Sequence, residues 1–389
     1  MSGIASQAAA KPLKVYILAG QSNMQGHVNI STFDSMAGDP KTAPILKEMR
    51  GADGKPRGCQ KVWISSIGCA GEDKTEQKGL LTAGFGASRD EIGPEFTFGI
   101  YLEKLLGEPI LLIKTSWGGK SLHTDFRSPS GGPYVFGEAE LIGRKNRGDN
   151  REKERANMSK ATGAYYRLMI EHVRKVLGDI KRVMPEYDPK QGCELAGFVW
   201  FQGFNDLVSD WTYPDRNQPG GYDLYGKLLA HFIRDVRQDL SAPKMPFVIG
   251  VMGLNGTKLP PNEIYFHQAQ AAPASLPEFQ GNVVAVPTAP YWDDDLNALQ
   301  TRREARWSKV DALVAEEAKK NPRMTGEGLQ AFKLKDEAEP FTPEEWQRLK
   351  GASNGGYHYL GAAKIMAPIG KAFAEAMAKL QTTQPPAKP

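Results

Sequence analysis

Five short apolar runs recur along the chain, at 13–20, 109–115, 195–201, 246–252 and 282–287. Each is too short for a buried helix and too continuously apolar for a strand with one wet face. Such runs predict strands covered on both sides, which is the condition of a parallel sheet. Stretches with helical spacing separate them, at 94–106, 161–184, 222–240 and a short piece at 269–276. Two more follow the last run, at 300–320 and 362–380. Strand and helix in alternation predict an α/β three-layer sandwich: a central parallel sheet of about five strands flanked by helices.

The connections are long. Polar, glycine-rich or charged segments near 25–93, 126–158 and 325–351 read as insertions into a single domain spanning 12–380. Segments 1–11 and 381–389 are expected to be a disordered start and a flexible tail. No internal repeat is visible.

In an open parallel sheet, ligands bind outside the carboxyl ends of the strands, so the polar residues just past each strand carry the functional information. After the first comes Gln21-Ser22-Asn23-Met24, and after the second Trp117-Gly118-Gly119. After the third comes Gln202-Gly203-Phe204-Asn205-Asp206, and before the last helix Tyr357-His358-Tyr359-Leu360-Gly361. Acyl transfer needs a nucleophile, a base and donors for the developing oxyanion. Ser22 offers the hydroxyl and a backbone N–H, Gly118 or Gly119 a second N–H, and Asn205 a side-chain amide. His358 can take the serine proton, since an unperturbed histidine titrates near neutrality, where a general base works. Gln21, Gln202 and Trp117 flank these groups and are candidates to bind substrate. Further loop aromatics, Phe126, Tyr134, Phe136, Trp211, Tyr213, Tyr291 and Trp292, suit sugar rings better than lipid, or else fill cores beneath the loops.

Other classes fit less well. Gly118-Gly119-Lys120-Ser121 lacks the earlier glycine of a phosphate-binding loop, because position 114 is Lys114. No G-x-S-x-G element is present. The remaining histidines, His27, His123, His172, His231 and His267, show no ligand spacing, so neither metal nor other cofactor is expected. Net charge is +4 with the signs interspersed, which gives no nucleic-acid footprint, and no apolar run is long enough to span a membrane. Cys59 and Cys69 could bridge a short loop or remain free buried thiols, the second being preferred. A catalytically impaired carbohydrate-binding protein on the same fold is the alternative.

Ile17-Leu18-Ala19-Gly20-Gln21-Ser22-Asn23-Met24 resembles the first conserved block of the SGNH hydrolases, in their sialate O-acetylesterase-like and carbohydrate esterase family six branch. Trp200-Phe201-Gln202-Gly203-Phe204-Asn205-Asp206 resembles the third block, the Gly118-Gly119 turn the second, and Tyr357-His358-Tyr359-Leu360-Gly361 the fifth. The resemblance implies a flavodoxin-like sandwich and a serine esterase with Ser22 as nucleophile and His358 as base. It implies Ser22, Gly118 or Gly119, and Asn205 as the oxyanion hole, and an acetylated carbohydrate as substrate. It also implies a secreted or periplasmic protein, although Met1–Ala10 is not an intact signal peptide. The family usually places an Asp three residues before the histidine; here that residue is Gly355. The partner orienting His358 is therefore Asn354, a backbone carbonyl, or an acid from elsewhere such as Asp206, and a neutral acceptor is expected.

Overall fold

The computed structural model describes residues 11–69, 71–137, 140–143 and 150–383. Segments 1–10 and 384–389, which hold most of the expected disordered start and flexible tail, lie outside the described residues. In chain order the strands are β1 (Leu13–Gly20), β2 (Val28–Asn29), β3 (Val62–Ile67), β4 (Glu76–Leu80) and β5 (Glu91–Ile92), then β6 (Ile110–Ser116), β7 (Cys193–Phe201), β8 (Phe247–Val251) and β9 (Val283–Pro287). Seven of them form one sheet in the order β4-β3-β6-β1-β7-β8-β9. All its neighbours pair parallel except β4, which runs antiparallel to β3 at the edge. β2 and β5 form a separate small ladder.

The five expected strands are present, and the sheet gains β3 and β4 from inside the 25–93 segment read as an insertion. β3 is half serine in its middle, so it shows no continuous apolar run. Its Ser65 is nevertheless fully buried, donating to Glu76 Oε1 at 2.7 Å and lying 2.9 Å from His172 Nε2. β4 is polar because it is an edge strand with one side open to solvent. The other insertions hold helices as well: Arg151–Ala161, Gly326–Ala338 and Pro343–Leu349.

The period of two in β7 distributes its side chains to two helical layers. Phe198 and Trp200 meet Phe232 of the helix Asp223–Asp239. Phe201 meets Phe373 of the opposite layer, where the helix Ala363–Thr383 packs beside Pro94–Leu106. That last helix continues past Leu380, where the tail was expected to begin. Gln381 Nε2 donates to Tyr16 Oη at 2.8 Å and to Ala196 O at 2.9 Å, which pins its end to the sheet. Cys59 and Cys69 are free and buried, and no described helix is long and apolar enough to cross a membrane.

Register decides where the functional residues emerge. Gly20 at the end of β1 sits opposite Ser116 of β6 and Phe201 of β7, so three strand ends are level. After β1 the chain builds one side of the sheet with β3, β4 and β6, and then crosses to the other side, to β7. Such a reversal opens a crevice at the carboxyl edge.

Candidate active site

β1 turns sharply into the helix Ser22–Gln25. The turn needs a glycine at position 20, since a Cβ there would lie 2.1 Å from the Phe201 carbonyl oxygen. Gln21 caps the helix, its Oε1 accepting from Asn23 N at 2.8 Å. Ser22 is 7% exposed and opens the helix. Among the described residues, no acceptor is found for its backbone N–H or for that of Gly118. Gly118 and Gly119 are exposed on the loop beyond β6, Gly119 at φ +73°. Asn205 lies half-buried on the short helix Phe204–Leu207 past β7, and its amide bonds to no described residue. Level strand ends thus bring three unpaired N–H donors to the edge where Ser22 emerges.

His358 sits on the turn Gly356–Gly361, which packs against the Ser22 helix. Its Nδ1 lies 3.1 Å from Asn354 Oδ1. The same oxygen accepts from Gly355 N at 2.8 Å. A backbone N–H can only donate, so the atom facing it is the amide oxygen, and His358 Nδ1 must carry the proton given to it. Nε2 is then bare, as a general base requires. The Ser22 hydroxyl and this ring are not hydrogen-bonded in the structure; such contacts often close only with substrate bound. Gly355 has φ −73°, which any residue adopts, but a Cβ there would lie 2.7 Å from the Tyr357 ring.

The turn is strained to present His358. Tyr359 and Leu360 both adopt left-handed φ, at 53° and 61°, and each such residue costs on the order of 1–3 kcal/mol. Burial of both side chains holds them there. The Tyr359 hydroxyl also accepts from Gly253 N at 2.9 Å and lies 2.7 Å from Thr288 Oγ1.

Asp206 does not orient His358. It is fully buried and accepts from Leu122 N at 2.8 Å, His123 N at 3.1 Å, Gln202 Nε2 at 2.7 Å and the Tyr213 hydroxyl at 2.9 Å, with His123 Nδ1 also at 2.9 Å. Burial alone would raise its carboxyl, but His123 and these donors outweigh that and hold it below the usual range. Its task is to tie the loop after Gly119 to the loop carrying Asn205.

The three candidate substrate-binding residues are all buried in this structure. Gln21 is 0% exposed and serves as the cap. Gln202, at 1%, is consumed by Lys120 O, Asp206 and the Tyr225 hydroxyl. Trp117, at 2%, packs on Phe126 and Tyr165 and donates to Asp73 O. Gln21 Nε2, buried beside Ser22, has no partner among the described residues.

The sequence reading missed His27, whose ring stacks on His358 with centroids 3.9 Å apart and planes 7° from parallel. Its only local signal is proximity to Ser22. It also missed Lys114, fully buried behind the site. Lys114 donates to Glu95 Oε2 at 2.7 Å, Phe85 O at 2.7 Å and Gln25 O at 2.8 Å, which joins the loops around the Ser22 helix. Burial, followed by the neighbouring His27, lowers His358 to about 3; burial, followed by Lys114, lowers His27 to about 4.

A model of the family described as carbohydrate esterase, sialic acid-specific acetylesterase, matches residues 12–289. No curated protein matches the chain. Among solved structures, a protein from Arabidopsis thaliana is 17% identical over 71% of this chain and 86% of its own, with a TM-score of 0.40. A carbohydrate acetylesterase from Xanthomonas citri is 13% identical over 72% of this chain and 50% of its own, with a TM-score of 0.41. NanS is 12% identical over 74% of this chain and 79% of its own, with a TM-score of 0.39.

Proposed function

Since the chain belongs to the sialic acid-specific acetylesterase family of carbohydrate esterases, we propose that it removes O-acetyl groups from a carbohydrate through an acyl-enzyme on Ser22. Family membership makes it a carboxylic ester hydrolase. In the proposed mechanism His358 Nε2 takes the Ser22 proton as Oγ attacks the acetyl carbonyl. The N–H groups of Ser22 and Gly118 and the Asn205 amide receive the oxyanion. His358 returns the proton to the departing sugar oxygen, and water, deprotonated in turn by His358, releases acetate.

The observation that carries this reading is the tautomer. Asn354 holds the proton on Nδ1 and leaves Nε2 bare, on a turn packed against the Ser22 helix. Ser22→Ala should abolish release of acetate from acetylated carbohydrates and from 4-nitrophenyl acetate while leaving the melting temperature unchanged. Near-normal turnover in that variant would defeat the mechanism. Retained sugar binding without turnover in the parent protein would instead favour a binding role. Acetylated polysaccharides are met outside the cytoplasm, so we also propose a secreted or periplasmic location; fractionation of the native cells tests it.

A further inference from the structure

Among the described residues, His358 Nδ1 meets an amide oxygen and not the carboxylate that ordinarily orients such a histidine. A neutral amide fixes one ring nitrogen but stabilises the ring's plane and its charged form less than a carboxylate does. Another group lies against the ring. His27 covers one face in a parallel stack at 3.9 Å, and Tyr357 meets the ring edge-on at 4.4 Å.

The stack is assembled by the fold and is not an accident of two mobile side chains. Gly26, at φ +90°, lets the chain pass close against Gly93; a Cβ there would lie 2.1 Å from the Gly93 Cα. Immediately after His27, β2 pairs with β5, so the backbone on both sides of the residue is fixed. Asn29 N then donates to Ser353 Oγ at 3.2 Å, and Ser353 Oγ donates to Gly361 O at 2.8 Å. The segment carrying His27 is thereby tied to both ends of the segment carrying Asn354 and His358. His27 Nε2 is buried and has no partner among the described residues, so no hydrogen bond at that nitrogen accounts for the ring's placement.

We propose that His27 is a positioning residue for His358, its flat ring clamping the plane of the base where the family ordinarily relies on a carboxylate. This rests on the reading of His358 as the base of Ser22. Like charges on two rings this close repel, so the stacked pair does not carry two protons at once. The other groups facing the pair agree with this. Lys114, from β6, raises the cost of charging His27 and is itself paired with Glu95 of the helix Pro94–Leu106. The turn bearing the base contributes the uncharged Asn354 and Tyr357.

The test compares His27→Ala and His27→Phe in the full-length protein, reading kcat, KM and the pH dependence of kcat/KM with 4-nitrophenyl acetate. Removing the ring should lower kcat about tenfold, through misplacement of the base, with KM changed less than about twofold. It should also move the acid limb to higher pH, because burial and the neighbouring His27 both hold His358 down. Phe keeps a flat ring and the burial but removes the neighbouring charge, and should restore kcat to within about threefold with an acid limb between those of Ala and the parent. If His27→Ala fails to fold, His27→Leu fills the space without a flat face and should behave as predicted for Ala. An unchanged kcat and acid limb without the ring would overturn the proposal, as would a loss that Phe fails to rescue. His358→Ala, measured alongside, separates the two readings. Activity retained there defeats the assignment of the base, whereas its loss beside an indifferent His27→Ala defeats only the clamp.

Discussion

Replacing Asn354 tests the most unusual part of the site. Its Oδ1 receives two hydrogen bonds, from His358 Nδ1 at 3.1 Å and from Gly355 N at 2.8 Å. Asn354→Ala removes both. At about 0.5–1.5 kcal/mol each, the loss is roughly 1–3 kcal/mol, which is about 5- to 150-fold in kcat/KM if orientation of the base is what they supply. Asn354→Asp is the informative counterpart. It keeps the length of the side chain and both acceptor contacts, so the ring stays where it is. A charged acceptor is worth about 1.5–3 kcal/mol, so the imidazolium formed during attack gains about 1–1.5 kcal/mol, or roughly five- to tenfold in kcat. A carboxylate also favours the charged ring, so the acid limb of kcat/KM should move upward from the low value set by burial and His27. Stopped-flow or plate-reader hydrolysis of 4-nitrophenyl acetate from about pH 2.5 to pH 9 reads both effects, since the parent's limb lies near 3. The reasoning is refuted if Asn354→Ala stays within about twofold of the parent, or if Asn354→Asp loses activity with its acid limb unmoved.

Asn205→Ala should lower kcat by about 10²–10³ with a smaller change in KM; an effect confined to KM would make Asn205 a substrate-positioning group only. Gly355→Asp should fold, because its backbone is extended, but should melt a few degrees lower as the new Cβ pushes on the half-exposed Tyr357 ring. Adding Tyr357→Ala should recover that loss, and an uncorrected double variant would locate the strain elsewhere. Burial lowers His172 and His267 to about 4, against an ordinary value near 6.5. The unfolded chain therefore takes up protons first, and stability present above pH 6.5 is lost as pH falls toward 4, by up to about 1.4 kcal/mol per pH unit for each group. Urea midpoints at pH 7 and pH 5 should differ accordingly and His172→Leu should shrink the difference; equal midpoints in the parent would contradict the burial argument.

The sequence alone determined the features that are local. Continuous apolar runs identified β1, β6, β7, β8 and β9, because strands buried on both faces must be apolar throughout. It also singled out Ser22, Gly118, Gly119 and Asn205 as candidates past the strand ends, since an open parallel sheet binds ligands at that edge, and His358 through a resemblance. β3 and β4 escaped because serines break the apolar run of β3, Ser65 being satisfied by the distant Glu76 and His172, and because β4 is a polar strand at the sheet edge.

Tertiary structure decided everything that depends on which segments meet. Gln21, Gln202 and Trp117 look exposed by position at the strand ends, yet all three side chains are buried, with Gln202 and Trp117 bonded to neighbouring loops. Asp206 looks like a spare acid for the base, yet it bridges two loops. Which of several acceptors holds His358 was open until the turn placed Asn354 Oδ1 beside its Nδ1. The His27–His358 stack joins residues from opposite ends of the chain. No periodicity or spacing encodes such a contact: it exists because β2, β5 and the last turn are folded together around the start of β1's helix.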